Sequence, residues 1–156
     1  MSSLSFASAT IALMQPEDLP AVIEIEHQSN SHPWTERNFR DAITSGYLSL
    51  VALEHGQVCA FAIARTLVDE AELLLIAVTP SERRQGVAAL LWIELAQRLH
   101  MAGATNVFLE VRASNASARS FYTSRGFIQI GVRTNYYPNG VHHGDREDAI
   151  LMQVPL

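Results

Sequence analysis

The sequence predicts a mixed α/β (α+β) fold, with a central sheet of about seven strands flanked by about four helices. Three observations carry that prediction. Short apolar runs and longer amphipathic stretches alternate in the order β-α-α-β-β-β-α-β-α-β-β. An apolar run, Leu73 to Val78, stops at Pro80, and Arg83-Arg84-Gln85-Gly86-Val87-Ala88 then leads straight into a long amphipathic helix. Strands on both sides of that helix predict a parallel pair joined by a right-handed crossover. The 156 residues fit one domain with a real core, residues 1–9 reading as a flexible N-terminal extension.

Each element has a local reason. Thr10 to Leu13 is a short first strand. Pro16-Glu17-Asp18-Leu19-Pro20 opens a helix, its prolines tolerated in the first turn, with Leu19, Val22, Ile23 and Glu26 on one face. Trp34 to Phe39 starts a second helix, with Thr35 as N-cap and Trp34 packing on Phe39 as a hydrophobic staple. Leu48 to Leu53 and Val58 to Ala64 flank Glu54-His55-Gly56-Gln57, a hairpin signal. Glu70 to Val78 is the next strand. Val87, Leu90, Leu91, Leu95, Leu99 and Ala102 follow helical spacing, and Gly103 ends that helix. Asn106 to Val111 is a strand, Ser117 to Ser124 a short helix and Phe127 to Val132 a strand. Tyr136 to Asp148 reads as a turn-rich loop before a final strand, Ala149 to Val154.

Composition excludes several classes of function. All 11 basic residues are Arg, so there is no Schiff-base lysine, pyridoxal-phosphate anchor or Walker-A lysine. The single cysteine, Cys59, lies in a strand and reads as a small core residue; it permits no internal disulfide. None of the six histidines has metal-site spacing, and the adjacent pair His142-His143 reads as solvent-exposed. No apolar run reaches the ~20 residues of a membrane span, and no Lys or Arg precedes Arg37, so the expected location is the cytoplasm. Residues 1–82 hold 11 acidic and 3 basic residues, residues 83–156 hold 5 and 8. An acidic half beside a basic half suits an anionic cofactor and a cationic second substrate, and scattered solvated charge is the alternative reading.

The turn at Arg84 to Ala89 is where chemistry is expected. A small-residue turn between strand and helix leaves backbone N–H groups unpaired, and with the positive end of the helix dipole they form a phosphate site. Glu110 stands near the end of an apolar strand, where a carboxylate is costly unless paired or functional. An ion pair with Arg112, an outward-facing position and a catalytic role all remain open. Tyr122 lies near the end of a helix, where a core tyrosine with its hydroxyl at the rim is the ordinary reading. Asn115 reads as a cap or turn residue.

These features resemble the Gcn5-related N-acetyltransferase superfamily over roughly residues 10–155. The turn Arg83 to Ala88 is similar to its acetyl-CoA pyrophosphate loop, with Ala88 where many members have Gly. Within the superfamily the chain resembles the bacterial ribosomal-protein-alanine N-acetyltransferases of the Rim type. The segments are His32-Pro33-Trp34-Thr35, Glu70-Ala71-Glu72-Leu73, Ile76-Ala77-Val78, Leu109 to Asn115, Phe121-Tyr122 with Gly126-Phe127, Asn135-Tyr136-Tyr137-Pro138 and Arg146-Glu147-Asp148-Ala149.

The resemblance implies Glu110 as general base and Tyr122 as general acid. It implies acetyl-CoA contacts from Ile76, Ala77, Val78, Arg84, Gln85, Gly86, Val87, Ala88, Ala89 and Asn115, and no metal. The implied acceptor is the N-terminal Ala of the eighteenth small-subunit ribosomal protein, presented on a basic peptide to a monomeric enzyme that needs neither nucleic acid nor membrane. The backbone N–H of Val78 is the candidate donor to the reaction's oxyanion, and the Tyr136-Tyr137 segment is expected to close over the peptide. Two departures stand out: a longer loop from Tyr137 to Arg146 carrying Val141-His142-His143, and a few extra residues before Thr10. Acetylation of another protein or small amine, or a non-catalytic acyl-CoA-binding module, are the alternatives. The presence of both Glu110 and Tyr122 argues against the last.

Overall fold

Residues 8–138 and 146–156 are described by the computed structural model. The expected N-terminal extension therefore lies largely outside the described residues, as does the Val141-His142-His143 segment. Seven strands form one mixed sheet: β1 (Thr10–Leu13), β2 (Leu48–Glu54), β3 (Gln57–Leu67), β4 (Glu70–Val78), β5 (Asn106–Arg112), β6 (Ile128–Pro138) and β7 (Arg146–Pro155). Their spatial order is β1-β2-β3-β4-β5-β7-β6. The helices are α1 (Leu19–Ser29), α2 (Glu36–Thr44), α3 (Val87–Met101) and α4 (Ala116–Ser124).

Local chemistry sets the boundaries. Pro16 to Asp18 form a 3-10 turn instead of the first turn of α1, and α1 starts only at Leu19. Thr35 caps α2: its side chain accepts from the Asn38 N–H while Asn38 Oδ1 accepts from the Thr35 N–H. Trp34 and Phe39 meet as the staple, ring centroids 5.3 Å apart. The hairpin between β2 and β3 turns at His55 and Gly56, both with positive φ, the conformation a two-residue hairpin needs. Gly103 ends α3 at φ +101°.

Two apolar layers hold the sheet. On one face α3 buries Val87, Leu91, Trp92, Leu95 and Leu99 against the sheet, with Phe127 beside Trp92. On the other, α1 and α2 bury Leu19, Val22, Ile25, Phe39 and Ala42 against Val51, Phe61 and Ile63. Burying one such side chain contributes roughly 1.5–3 kcal/mol. Cys59 is buried in the α3 layer, the position expected of it.

The expected loop from Tyr136 to Asp148 needs correction. Tyr136 to Pro138 belong to β6 and Arg146 to Asp148 to β7, and these ends pair at Tyr137–Glu147 and Pro138–Arg146. The cause is a large bulge: Thr134 to Tyr136 face the single residue Asp148, which accepts the Asn135 N–H at 2.9 Å. Polar bulge residues carry the composition of a turn, which hid the strand.

The sheet also parts in the middle. β4 and β5 pair in parallel only at Glu70–Asn106, Ala71–Val107 and Glu72–Phe108. Beyond that point β4 runs on to Val78 and β5 to Arg112 without each other.

Candidate active site

The parting of β4 and β5 supplies backbone donors. Thr79 donates to the Cys59 carbonyl, so the β3-facing residues of β4 are Ala77 and Leu75 in the same register. The N–H and C=O groups of Ile76 and Val78 then point toward the side that β5 has left. Arg83 Nε donates to the Val78 carbonyl at 3.0 Å, and its Nη2 donates to Ser29 Oγ at 3.2 Å. Arg83 thus ties the loose end of β4 to the last turn of α1.

The following loop is shaped for an anion. Arg84 has φ +65° and Gly86 φ +83°, two left-handed residues that turn successive N–H groups to one side. Gly86 is the N-cap of α3 with no side-chain cap, and Leu90 is the first helix residue to bond back to it. The N–H groups of Val87, Ala88 and Ala89 remain available for a ligand. Nothing lies within 4 Å of where a Cβ on Gly86 would be. Its requirement for glycine within the chain is therefore the backbone angle.

Two clefts meet here. The first, about 710 Å³, is lined by Ile76 to Val78, by Arg83, Arg84, Gly86, Ala88 and Ala89, and by α4 residues from Asn115 to Arg125. The second, about 720 Å³, lies between the α1–α2 connection and the ends of β5 and β6, and reaches Glu26, His32, Trp34, Glu110, Arg112 and Tyr137. Six residues line both: Ser29, Ile76, Ala77, Asn115, Ala118 and Tyr122. A molecule stretched along β4 and a chain end entering from the other side would meet at Tyr122.

The structure brings most of the expected residues to this junction. Of the expected cofactor contacts, Ile76, Ala77, Val78, Arg84, Gly86, Ala88, Ala89 and Asn115 line the first cleft, whereas the side chains of Gln85 and Val87 do not. Val87 is buried in the core, and Gln85 reaches back to the Ser81 carbonyl. Asn115 is the N-cap of α4, accepting the Ala118 N–H at 3.1 Å. Tyr122 packs against Phe121 and Phe127, and burial pushes its hydroxyl well above the ordinary phenol range. No described residue hydrogen-bonds that hydroxyl.

Glu110 and Tyr122 both line the second cleft. Glu110 does not pair with Arg112. Its Oε1 lies 3.2 Å from Arg133 Nε, a partner two elements away that sequence proximity could not indicate. Arg112 instead joins the cleft's walls. It donates to the Pro138 carbonyl at 2.7 Å and to Glu147 Oε1 at 3.0 Å, meets His32 Nδ1 at 3.2 Å, and lies over the Tyr137 ring. Hydrogen bonds from Ser114 and then Arg112 hold the Glu147 carboxyl below its usual range. Burial and then Glu110 push the Tyr137 hydroxyl up to about 12. Arg83, Arg125, Glu26 and His32 were missed from the sequence as lining residues. Arg83 was legible, since it opens the same turn, whereas the other three reach the clefts only through the packing of α1 and α4.

Comparisons with known proteins agree with this geometry. The acetyltransferase (GNAT) family matches residues 19–127. The [ribosomal protein bS18]-alanine N-acetyltransferase of Escherichia coli (strain K12) is 40% identical over 147 residues, covering 94% of this chain and 97% of that protein. The crystal structure of the ribosomal-protein-S18-alanine N-acetyltransferase from Escherichia coli superposes with a TM-score of 0.85, covering 94% and 93% of the two chains. Ard1 from Thermoplasma volcanium is 26% identical with a TM-score of 0.85, covering 96% and 99%. No helix among the described residues is long and apolar enough to cross a membrane.

Proposed function

The chain belongs to the acetyltransferase (GNAT) family, and on that premise we propose that it transfers acetyl from acetyl-CoA to the α-amine of the N-terminal alanine of ribosomal protein bS18, in the cytoplasm. The observation that carries the reading is the meeting of two clefts at Tyr122, with Glu110 on the wall of one and an anion-shaped loop at the far end of the other. Similarity over nearly the whole length to proteins named for this activity supports the acceptor.

The residues fit the co-substrate. The N–H groups of the Gly86 turn and the start of α3 would receive a diphosphate, and the unpaired edge of β4 at Ile76 and Val78 would receive the amides of an extended arm. Acetyl-CoA supplies an activated acetyl group as a thioester. A peptide α-amine has a pKa near ~8 and is largely protonated at neutral pH, so it needs a proton acceptor before it can attack. Glu110 is that acceptor, directly or through a water. The N–H of Val78 donates to the carbonyl oxygen as it gains negative charge. Tyr122, protonated across the working pH range, returns a proton to the departing thiolate.

The test is direct. The protein, acetyl-CoA and a peptide with the bS18 N-terminus are incubated, and the product is located by mass spectrometry. Acetyl on the alanine α-nitrogen supports the reading. Equal acetylation of a peptide with a blocked terminus but free lysines, or of small amines alone, would replace the acceptor while leaving the family unchanged.

A further inference from the structure

Glu110 forms part of the wall between two cavities. One is the acceptor cleft; the other is a pocket of about 420 Å³ on the same sheet face, lined among others by Arg65, Glu72, Phe108, Ile130, Arg133 and Tyr136. Of these two cavities Arg133 lines the second and not the acceptor cleft, whereas Glu110 lines both. Its Nε lies 3.2 Å from Glu110 Oε1, and its guanidinium lies 5.2 Å from the centre of the Tyr136 ring. The contact is an ion pair without hydrogen-bond geometry, and among the described residues no other charged group pairs with this carboxylate. The bulge in β6 fixes this arrangement: Arg133 is the last paired residue before it, Tyr136 the last residue within it, and Asp148 pins it through the Asn135 N–H.

Resting on the reading of Glu110 as proton acceptor, we infer that Arg133 is a positioning residue, which holds Glu110 Oε1 from behind and leaves Oε2 to face the acceptor amine or its water. A glutamate on a strand has several rotamers, and only some present a carboxylate oxygen to the cleft. A guanidinium paired with one oxygen favours some of them over others, and a proton transfer requires one orientation. Arg133 is 54% exposed and Glu110 22%. The effect is therefore modest, at most about fivefold in rate, the worth of an exposed pair. The competing arrangement is that Arg133 merely occupies the place of the acceptor's ammonium and must leave when it binds. The two differ in sign: loss of a positioning group lowers kcat, whereas loss of an occupant lowers the peptide's KM.

The experiment measures steady-state kinetics with acetyl-CoA and an alanine-starting peptide for Arg133→Gln, Arg133→Lys and Glu110→Gln, and for Arg133→Gln combined with Glu110→Gln. The expected result is a three- to fivefold lower kcat for Arg133→Gln with KM for acetyl-CoA unchanged, at least half restored in Arg133→Lys. In the Glu110→Gln background, Arg133→Gln should have no further effect. Wild-type kcat in Arg133→Gln overturns the inference, as does a lower peptide KM at constant kcat, or an equal loss in both backgrounds. Wild-type kcat in Glu110→Gln removes the proton acceptor itself, and is recognised separately because it appears without any change at Arg133.

Discussion

Glu26 Oε2 accepts the backbone N–H of Trp34 at 2.9 Å, and the carboxylate that does so is only 2% exposed. That bond spans the connection between α1 and α2, the segment that carries His32 to the acceptor cleft. Burial raises the Glu26 pKa above its ordinary value, against hydrogen bonds from Trp34 and Asn30 that lower it.

The sign of the consequence follows from linkage. A carboxyl with a raised folded-state pKa binds its proton more tightly when folded, so its contribution to stability falls as pH rises from the unfolded value through the folded one. At neutral pH the buried charge is a net cost. Glu26→Gln, which keeps a carbonyl acceptor for Trp34, should melt at or above wild type at pH 7 and lose that advantage near pH 4. Thermal melts across pH 4–8 check this; a constant difference across that range would show that the charge is not what distinguishes the two.

Gly86→Ala separates backbone angle from ligand space. The φ of +83° makes any side chain strained, at a cost of roughly 1 kcal/mol, although no atom of the chain lies near the added Cβ. A shift in Tm of about 2–4 °C is expected from that cost. Calorimetry should show acetyl-CoA affinity falling by more, about tenfold or greater, because turn N–H groups would be misaimed at a charged group. Unchanged affinity would move the diphosphate away from this turn.

Glu110→Gln and Tyr122→Phe probe opposite ends of the reaction. Removing a proton acceptor should lower kcat about 10²- to 10⁴-fold, most severely at low pH where the amine is most protonated. Tyr122→Phe should lower kcat while leaving acetyl-CoA affinity nearly intact. Because the Tyr122 pKa is raised, no alkaline loss of activity between pH 6 and 9 should trace to it. A variant with wild-type kcat across that range withdraws its residue from the mechanism.

Charge gives a prediction about the acceptor. Residues 1–82 carry a net charge of −8, so a basic peptide should be attracted over a distance. Screening shortens that reach from about 10 Å at 0.1 M salt to about 3 Å at 1 M. KM for an alanine-starting basic peptide should therefore rise with ionic strength, and replacing its arginines by glutamine should abolish the dependence. Equal kcat/KM for both peptides would sink the electrostatic account while sparing the acetyl transfer.

Much of the fold was legible because its signals are local. The Thr35 cap, the Trp34–Phe39 staple and the His55-Gly56 hairpin are each written within six residues. The loop from Arg84 to Ala89 was legible for the same reason. What escaped was set by long-range pairing. The β6 bulge depends on Asp148 across the sheet, so a turn-like composition concealed a strand. Of the readings open for Glu110, the ion pair with Arg112 is not formed; its partner is Arg133, because side chains on β5 meet those of β6 and β7 only once the sheet is assembled.

The parting of β4 from β5 after three residue pairs leaves the amides of Ile76 and Val78 in the middle of a sheet with no strand on the side they face. Strand-centre amides ordinarily exchange with deuterated solvent as slowly as the whole molecule unfolds. These two should exchange almost as fast as loop amides in the isolated protein, and should slow sharply when acetyl-CoA is added. Their labelling rate would then read occupancy of the cleft residue by residue, without turnover and without a substituted side chain.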